Sequence, residues 1–376
     1  MSALKVLVVD DTIIYRKIVS DVIAEIPGAE VVGTANNGKI AMSKIGSLRP
    51  DLITLDIEMP GMNGLEVLQA LNAQGQSPGV VMLSTLTQEG GEMTVRALEL
   101  GAFDFIPKPQ SGSMAENLAN IRNLLTPIVQ AFRRRVEIKR ILSRGAKGPA
   151  TRPAVPRVKR PAPLPKPASP LSGGFTRPSP ARFRSEIITI GISTGGPNAL
   201  AKMMPQIPAD IGVPILIVQH MPPIFTQSLA KSLNAKCAIE VKEAEDREPL
   251  RPGCAFIAPG GKQMKIVAGA DGVSRLIRIT DDPPENSCKP SADYLFRSVA
   301  SLYIGRATGV IMTGMGSDGS RGLHQMKGNG SFIIAQNEAT CTVFGMPKEP
   351  IESNIVDVVA PLDKIAEEIT KTVIKR

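Results

Sequence analysis

The sequence predicts an α/β protein with two parallel-sheet domains joined by a basic linker. Both halves alternate short β-rich apolar runs with stretches of helical periodicity. At 376 residues the chain is too long for one ordinary core, and a Pro-rich segment separates the halves. We therefore expect a doubly wound five-stranded domain over residues 1–130, a linker over 131–185 and a mostly parallel α/β domain over 186–376.

In the first half, five short apolar runs predict the strands. They are Val6–Val9, Val31–Gly33, Leu52–Leu55, Val80–Leu83 and Phe103–Ile106. Helical periodicity fills the gaps, as in Ile14–Ile26 and Val95–Leu100, and a further helix is expected over Ile121–Leu142. In a doubly wound sheet of this kind, ligands bind at the carboxyl ends of the strands.

The polar residues that follow these strands predict a phosphoryl-binding site. Asp10 and Asp11 follow the first strand, and Asp56 follows the third. Three carboxylates at one edge repel each other unless a hard divalent cation such as Mg²⁺ binds them. Ser84 and Lys108, after the fourth and fifth strands, could hold a phosphoryl group on Asp56. The alternative for any one of these acids is that it only caps a helix.

This segment resembles the receiver domain of two-component systems, a flavodoxin-like fold, over its whole length, including the Lys108-Pro109 pair. The resemblance implies that Asp56 is the phospho-acceptor and that Ser84 and Lys108 contact the phosphoryl oxygens. It places Phe105 at the position of the switch aromatic. The Mg²⁺ ligands that it implies are Asp10, Asp11, Asp56 and the Glu58 backbone.

The basic charge of the chain belongs to the linker. Between Arg133 and Arg184 there are 15 Lys and Arg residues and one acid, Glu137, so this segment carries +14. Subtracting it from the net charge of +9 leaves −5 for the rest. Aromatic residues make up 3% and Trp is absent, so base-stacking platforms and nucleic-acid binding are not expected. Residues 145–182 are interpreted as a solvated, partly extended spacer, with attraction to an acidic surface or membrane as the alternative.

Composition also bounds the compartment and the candidate bases. The four cysteines are scattered without metal-ligand spacing, and neither a membrane span nor a signal peptide is expected, so we predict a cytoplasmic protein. Only two histidines exist, His220 and His324. His324 is expected on the surface of a helix, which leaves His220 as the candidate for chemistry.

The second half again alternates strands and helices, with an antiparallel insertion expected around residues 238–280. The expected strands are Ile187–Ile192, Ile215–Val218, Cys254–Ala258, Leu276–Ile279, Thr308–Met312, Phe332–Ala335 and Val356–Ala360. The expected helices are Asn198–Met204, Ile224–Leu233, Ala292–Leu302, Leu323–Lys327 and Leu362–Val373.

Three loops that follow strands of this half carry a nucleophile, a base and a carboxylate. They contain Ser193, His220 and Asp318 respectively. Serine is a poor nucleophile until imidazole takes its proton, and the imidazole needs a carboxylate to fix its tautomer. Gly195 and Gly196 would let backbone N–H groups approach a developing oxyanion. The plainer alternatives are a structural Ser, a hydrogen-bonded strand-end His and an Asp that caps a helix.

Two motif matches point elsewhere and are weaker. The stretch GISTG fits the G-x-S-x-G elbow of α/β-hydrolases, but the order here is Ser, His, Asp instead of Ser, acid, His. The stretch GMGSDG fits the dinucleotide fingerprint G-x-G-x-x-G, with Glu338 about 20 residues on. Asp318 would lie inside that phosphate cradle and repel the ligand.

Together with the receiver and the linker, the stretches STGGP, QHMP, IAPGG, KPSADYLF and MTGMGSDG resemble the chemotaxis protein-glutamate methylesterase (CheB) family. The resemblance implies a triad of Ser193, His220 and Asp318, with Thr194 and Met315 in oxyanion or substrate contacts. One departure is Gln263, where the family pattern has a His, and we expect it to alter local contacts only.

The resemblance implies a phosphorylation-activated serine hydrolase. It would demethylate glutamate methyl esters and deamidate glutamines in methyl-accepting chemotaxis receptors. The expected partners are a chemotaxis histidine kinase and those receptors, with membrane association only through the receptors and a monomeric state. Mg²⁺ is expected in the receiver and no cofactor in the hydrolase. The unphosphorylated receiver is expected to cover Ser193. The alternatives are a response regulator that acts by binding and a hydrolase of small esters.

Overall fold

The structure, a computed structural model, describes residues 3–75, 78–145 and 184–373, without the side chains of 138–145. The predicted spacer therefore lies almost wholly outside the described residues. Within the described ranges, no helix combines the length and apolar character that crossing a bilayer requires.

The first half folds as a parallel five-stranded sheet with strand order β2-β1-β3-β4-β5, as the sequence predicts. Its strands are β1 (Leu4–Val9), β2 (Ala29–Ala35), β3 (Leu52–Asp56), β4 (Gly79–Ser84) and β5 (Asp104–Pro107). Its helices are α1 (Ile13–Glu25), α2 (Gly38–Leu48), α3 (Gly64–Ala73), α4 (Gln88–Glu99) and α5 (Met114–Gly145). The long α5 continues past residue 130, where the boundary of the first domain was predicted.

The second half forms a seven-stranded sheet with strand order β14-β13-β12-β6-β7-β9-β8. The strands are β6 (Ile187–Ile192), β7 (Ile215–Gln219), β8 (Glu240–Glu243), β9 (Cys254–Ile257), β10 (Gln263–Ala268), β11 (Arg275–Thr280), β12 (Ala307–Ile311), β13 (Phe332–Gln336) and β14 (Val358–Ala360). The helices are α6 (Gly196–Met203), α7 (Phe225–Asn234), α8 (Ala292–Leu302), α9 (Ser320–Gly328), α10 (Lys348–Glu352) and α11 (Leu362–Val373).

The antiparallel insertion is smaller than predicted. Among the strands of the described residues, only β10 and β11 pair in antiparallel fashion, as a separate two-stranded sheet. The strand β8 pairs in parallel with β9 at the edge of the main sheet. Its sequence, EVKE, is polar enough for an edge position, which is why the apolar pattern did not reveal it.

In both sheets the strand order reverses beside the strand that precedes candidate site residues, β1 before Asp10 and β6 before Ser193. In the first sheet β1 lies between β2 and β3, and in the second β6 lies between β12 and β7. Every residue of β6 is buried, as expected of a central strand covered on both faces. In open parallel sheets the crevice at such a reversal is where ligands bind.

The two halves pack against each other through α4 of the first and α7 of the second. The helices approach closely at Gly91, because a Cβ there would lie 2.9 Å from Ser228 Oγ. Ion pairs flank this contact, Lys231 with Glu92 at 3.4 Å and Lys236 with Glu99 at 2.5 Å. The first half is therefore docked on the second near the carboxyl end of β6.

Candidate active site and phosphoryl-binding site

Strand register brings Ser193 and His220 next to each other. Ile192 at the end of β6 pairs with Gln219 at the end of β7, and the His220 N–H donates to the Ile192 carbonyl at 3.1 Å. Ser193 and His220 are therefore the next residues of two adjacent strands. The Gln219 side chain fixes the turn, because its Nε2 donates to the Ser193 carbonyl at 3.0 Å.

Asp318 is joined to His220 and anchored on the other side by the N-terminus of α8. Its Oδ2 lies 2.8 Å from His220 Nε2. The donors to the carboxylate are Ser291 Oγ at 2.8 Å, the Ala292 N–H at 2.6 Å and Asn286 Nδ2 at 2.9 Å. Burial raises the pKa of Asp318, but the hydrogen bonds and the neighbouring imidazole lower it to about 2. The carboxylate is thus ionised and fixed in orientation.

The imidazole of His220 has one nitrogen on Asp318 and the other facing a thiol. With the proton on Nε2 toward Asp318, the lone pair of Nδ1 is the basic site. Cys288 Sγ lies 3.7 Å from Nδ1. Burial lowers the pKa of His220, whereas Asp318 and Cys288 raise it, to about 9.

Ser193 completes the group without a hydrogen bond to the base. Among the described residues, no hydrogen bond joins the Ser193 hydroxyl to either nitrogen of His220, which bonds Asp318 and Cys288 instead. Catalytic contacts are often long without substrate and tighten in the complex. The structure thus brings His220 and Asp318 together and sets Ser193 beside them.

The glycine-rich turn after β6 leaves some backbone donors free. Gly195 has φ +75° at the start of α6, a conformation that favours glycine. In the described part of the chain, no acceptor is recorded for the N–H groups of Thr194, Gly195 and Met315. The Gly196 N–H, in contrast, donates to the Ser193 carbonyl at 2.7 Å. The expected contact of Gly196 with an oxyanion stays a prediction, and in this conformation its N–H is bonded to the Ser193 carbonyl.

Gly196 has a steric role instead. A Cβ at this position would lie 1.9 Å from Gln219 Oε1. The same holds for Gly314 in the loop after β12, where a Cβ would lie 2.8 Å from Ser193 Cβ. The absence of a Cβ thus lets Gly196 pack closely on the Gln219 side chain and Gly314 on Ser193.

Sequence reasoning missed the loop that carries Cys288 and Asn286. Asn286 and Ser287 both have positive φ, 51° and 62°, and form a tight turn between Glu285 and Cys288. Gln263 is fully buried and braces this loop, because its Nε2 donates to the Cys288 carbonyl at 3.3 Å. The Asn-Ser pair was the available signal for a turn, but it does not reveal what the turn faces.

The first half carries a compact charged site at the ends of β1, β3 and β5. Lys108 Nζ lies 2.8 Å from Asp10 Oδ2 and 2.7 Å from Asp56 Oδ2. Burial raises the pKa of Asp56 to about 7, although Lys108 lowers it. Ser84 is buried beside this site and its Oγ accepts a hydrogen bond from Thr94 Oγ1 at 2.7 Å.

These carboxylates fit a divalent cation. Oxygen atoms of Asp10, Asp11 and Asp56 lie within 4.8 Å of one another. Burial also raises the pKa of Asp10 against the effect of Lys108, so one ammonium does not fully offset two buried carboxylates. An all-oxygen donor set of this kind suits Mg²⁺. Glu58 lies two residues beyond the end of β3, and its backbone N–H lies 3.4 Å from Asp56 Oδ1.

The strand β5 joins this charged site to the second half. The Phe105 ring lies 4.6 Å, centroid to centroid, from Phe225, the first residue of α7. Asp104 lies against Thr194, the residue after Ser193. Burial raises the pKa of Asp104 to about 6, against the lowering effect of the Phe105 N–H and Thr194. The docked receiver segment therefore reaches the turn that holds Ser193.

Comparisons with known proteins cover both halves. A family model described as CheB methylesterase matches residues 188–369, and one described as response regulator receiver domain matches residues 6–119. A protein-glutamate methylesterase/protein-glutamine glutaminase of Desulfotalea psychrophila is 58% identical over 99% of both chains. The chain belongs to the CheB methylesterase family. It is an enzyme of this family, with an N-terminal receiver domain.

Other similar proteins come from two further bacteria. The Bacillus subtilis protein of the same name is 42% identical over 99% of both chains. The crystal structure of the Thermotoga maritima CheB methylesterase catalytic domain is 39% identical, covers 50% of this chain and 99% of that chain, and has a TM-score of 0.49. The Thermotoga maritima CheB response regulator domain is 41% identical, covers 35% of this chain and 97% of that chain, and has a TM-score of 0.31.

Proposed function

We propose that this CheB protein hydrolyses glutamate γ-methyl esters, and deamidates glutamines, in chemoreceptors, with Ser193 as nucleophile. The observation that carries the proposal is the partly buried hydrogen bond of 2.8 Å between His220 and Asp318, beside Ser193. The five hydrogen-bond partners of the Asp318 carboxylate, which include His220 itself, support a role in orienting the imidazole. The printed names of the relatives support the substrate class.

In the first step Ser193 Oγ attacks the γ-carbonyl carbon of the ester. His220 Nδ1 takes the hydroxyl proton, and the resulting imidazolium is stabilised by Asp318. The carbonyl oxygen becomes an oxyanion, which we assign to the free N–H groups of Thr194, Gly195 and Met315. Each such donor is worth roughly 3–4 kcal/mol of barrier when it is aimed at the developing charge.

In the second step the tetrahedral intermediate collapses. The imidazolium returns its proton to the departing methoxide, which leaves as methanol, and an acyl-enzyme ester of Ser193 remains. Water then attacks the acyl carbon while His220 takes its proton. Collapse of the second intermediate returns a proton to Ser193 and releases the glutamate carboxylate. With glutamine as substrate the leaving group is ammonia and the other steps are the same.

Phosphorylation of Asp56 is proposed as the control. An Asp56 oxygen would attack the phosphorus of a phosphohistidine on a histidine kinase, forming an acyl phosphate and releasing the histidine. Lys108 and Ser84 would contact the phosphoryl oxygens. Asp10, Asp11, Asp56 and the Glu58 backbone would hold Mg²⁺, which would neutralise the charge of the phosphoryl group.

The docked receiver supports steric inhibition of the resting enzyme. Asp104 and Phe105 of β5 reach the second half at Thr194 and Phe225. A cleft of about 430 Å³ remains between the halves beside Gly195, which suits small molecules far better than a receptor helix bundle. The partners and the cytoplasmic location predicted from the sequence follow from this substrate.

Fluorophosphonate labelling of the full-length protein tests the nucleophile. We expect the wild type to be labelled at Ser193 and Ser193→Ala to be unlabelled and to release no methanol from methylated receptor. Ser317→Ala is the matched control, because Ser317 is an exposed serine of the Gly-rich loop with no assigned role. Turnover retained by Ser193→Ala would refute the assignment, as would labelling that depends on Ser317.

A further inference from the structure

The side chain of Cys288 forms a cluster with His220 and Asp318 that the hydrolytic mechanism does not require. One donor atom from each of the three residues lies within 4.8 Å of the others. Thiolate sulfur, imidazole nitrogen and carboxylate oxygen are the three ligand types that Zn²⁺ prefers in proteins. A hydrolytic triad uses the imidazole and the carboxylate but has no use for a thiol.

We propose that Cys288 Sγ and His220 Nδ1 form an inhibitory site for a thiophilic divalent cation such as Zn²⁺, with Asp318 as the outer carboxylate. The proposal rests on the proposed role of His220 for its effect on activity, but not for the binding itself. Coordination would displace to solvent the thiol proton and, where the imidazole is protonated, its Nδ1 proton, and waters would complete the metal's coordination.

The distance between the two inner ligands matches such a site. Cys288 Sγ and His220 Nδ1 are 3.7 Å apart. With a Zn–N bond of about 2.0 Å, a Zn–S bond of about 2.3 Å and a tetrahedral angle, the two ligand atoms are separated by about 3.5 Å. A shift of a few tenths of an ångström is therefore enough to admit the ion.

The outer shell is already in place. His220 donates through Nε2 to Asp318 at 2.8 Å, which leaves the lone pair of Nδ1 toward the thiol. Metal-binding histidines usually donate their second N–H to a carboxylate or carbonyl in this way, which fixes the tautomer and the ring orientation. The same bond that prepares His220 as a base thus prepares it as a ligand.

The thiol is held by its loop and can be reached from solvent. Backbone hydrogen bonds pair Cys288 with Glu285 in both directions, at 2.8 and 3.1 Å. Arg297 anchors Glu285 through a bidentate ion pair, and Gln263 binds the Cys288 carbonyl. The side chain of His220 is 15% exposed and Cys288 is partly buried, so both residues are in part accessible to solvent.

Occupancy would inhibit the enzyme directly. The lone pair of Nδ1 that would accept the Ser193 proton becomes the bond to the metal. A hard cation such as Mg²⁺ does not favour thiolate, so it should fill the receiver carboxylates and leave this site empty. The Cys288–His220 site therefore distinguishes soft from hard divalent cations.

Co²⁺ provides the binding test on the full-length protein, in excess Mg²⁺ to occupy the receiver. All four cysteines lie in the second half, so a thiolate-to-cobalt charge-transfer band cannot come from Co²⁺ bound to the receiver carboxylates. We expect the band in the wild type and in Cys237→Ser, a control with a partly buried thiol, and its loss in Cys288→Ser and Cys288→Ala. No band in the wild type, or a band kept by both Cys288 variants, overturns the site.

Zn²⁺ titration of fluorophosphonate labelling tests the effect, each variant being compared with its own metal-free rate. We expect at least a tenfold decrease for wild type and Cys237→Ser, reversed by a chelator, and less than twofold for the Cys288 variants. Equal inhibition of all variants overturns the proposal. Failure of the proposed function is distinct, because labelling would then be absent without metal while the cobalt band remained.

Discussion

Removal of the Glu99 carboxylate is expected to raise the basal activity of the unphosphorylated enzyme. Glu99 ends α4 of the receiver, and its Oε1 lies 2.5 Å from Lys236 Nζ in the second half. The Ser232 hydroxyl of α7 donates to the same oxygen. These contacts belong to the docked arrangement, so Glu99→Ala weakens docking without touching the proposed triad.

The magnitude follows from the exposure of the pair. The Glu99 and Lys236 side chains are 22% and 38% exposed, so solvent screens part of the attraction. An ion pair of this kind contributes up to about 1 kcal/mol, and a hydrogen bond to a charged group about 1.5–3 kcal/mol, of which water recovers a part. A loss of about 1–2 kcal/mol corresponds to a roughly 5- to 30-fold larger open fraction. While that fraction is small, activity rises in proportion.

The assay is methanol release from methylated receptor by the unphosphorylated full-length protein. Glu92→Ala is the matched control, because its pair with Lys231 is longer, at 3.4 Å, and more than half exposed on both sides. We expect a change of less than about threefold there. Lys236→Ala should resemble Glu99→Ala, and the double variant should gain little more. An unchanged basal rate in folded Glu99→Ala would refute the inference that docking limits activity.

Three further predictions concern the proposed catalytic site. Only neutral His220 can act as the base and its pKa is about 9, so turnover should rise from pH 7 to 9. Because this folded-state pKa lies above the ordinary 6.5, protonation of His220 stabilises the fold below pH 6.5. Thermal unfolding should show that this stabilisation is lost as the pH rises through 9. Ser291→Ala removes a donor to Asp318 and the N-cap of α8, so kcat should fall and chemical denaturation should show a loss of about 1–2 kcal/mol. Gly196→Ala places a Cβ 1.9 Å from Gln219 Oε1, so labelling of the nucleophile should fall at least tenfold, whereas Gly328→Ala, where a Cβ meets open space, should have no effect.

Most of the fold follows from apolar periodicity, and the exceptions have local causes. The buried run Ile187–Ile192 was predicted to the residue, because every position of that central strand is buried. The edge strand Glu240–Glu243 was missed, since only Val241 is buried there. Pro127 did not end α5, because its helix packs against α1 through residues such as Leu125 and Val129. Burial decides these cases, and local propensity only contributes to them.

The candidate site was partly predictable for a similar reason. Residues that directly follow strands, such as Ser193 and His220, are placed by register, so the sequence locates them. Cys288 and Asn286 reach the same place from a loop about 70 residues further on, through a turn with two positive φ values. The hydrogen bond from the Gly196 N–H to the Ser193 carbonyl depends on a turn geometry that glycine allows but does not specify. The places of Cys288, Asn286 and Gly196 in the site therefore follow from the three-dimensional structure and not from sequence position.

The strand β5 explains how one event at Asp56 can act on a nucleophile in another domain. Lys108 directly follows β5 and holds Asp56 and Asp10 at 2.7 and 2.8 Å. Three residues earlier, Phe105 packs on Phe225 at the start of α7. A phosphoryl group on Asp56 would draw Lys108 to new oxygens, and a short strand transmits such a shift to Phe105 because buried side chains do not deform continuously. The contact that the proposed phosphorylation would weaken therefore lies on the strand that leads directly into Lys108.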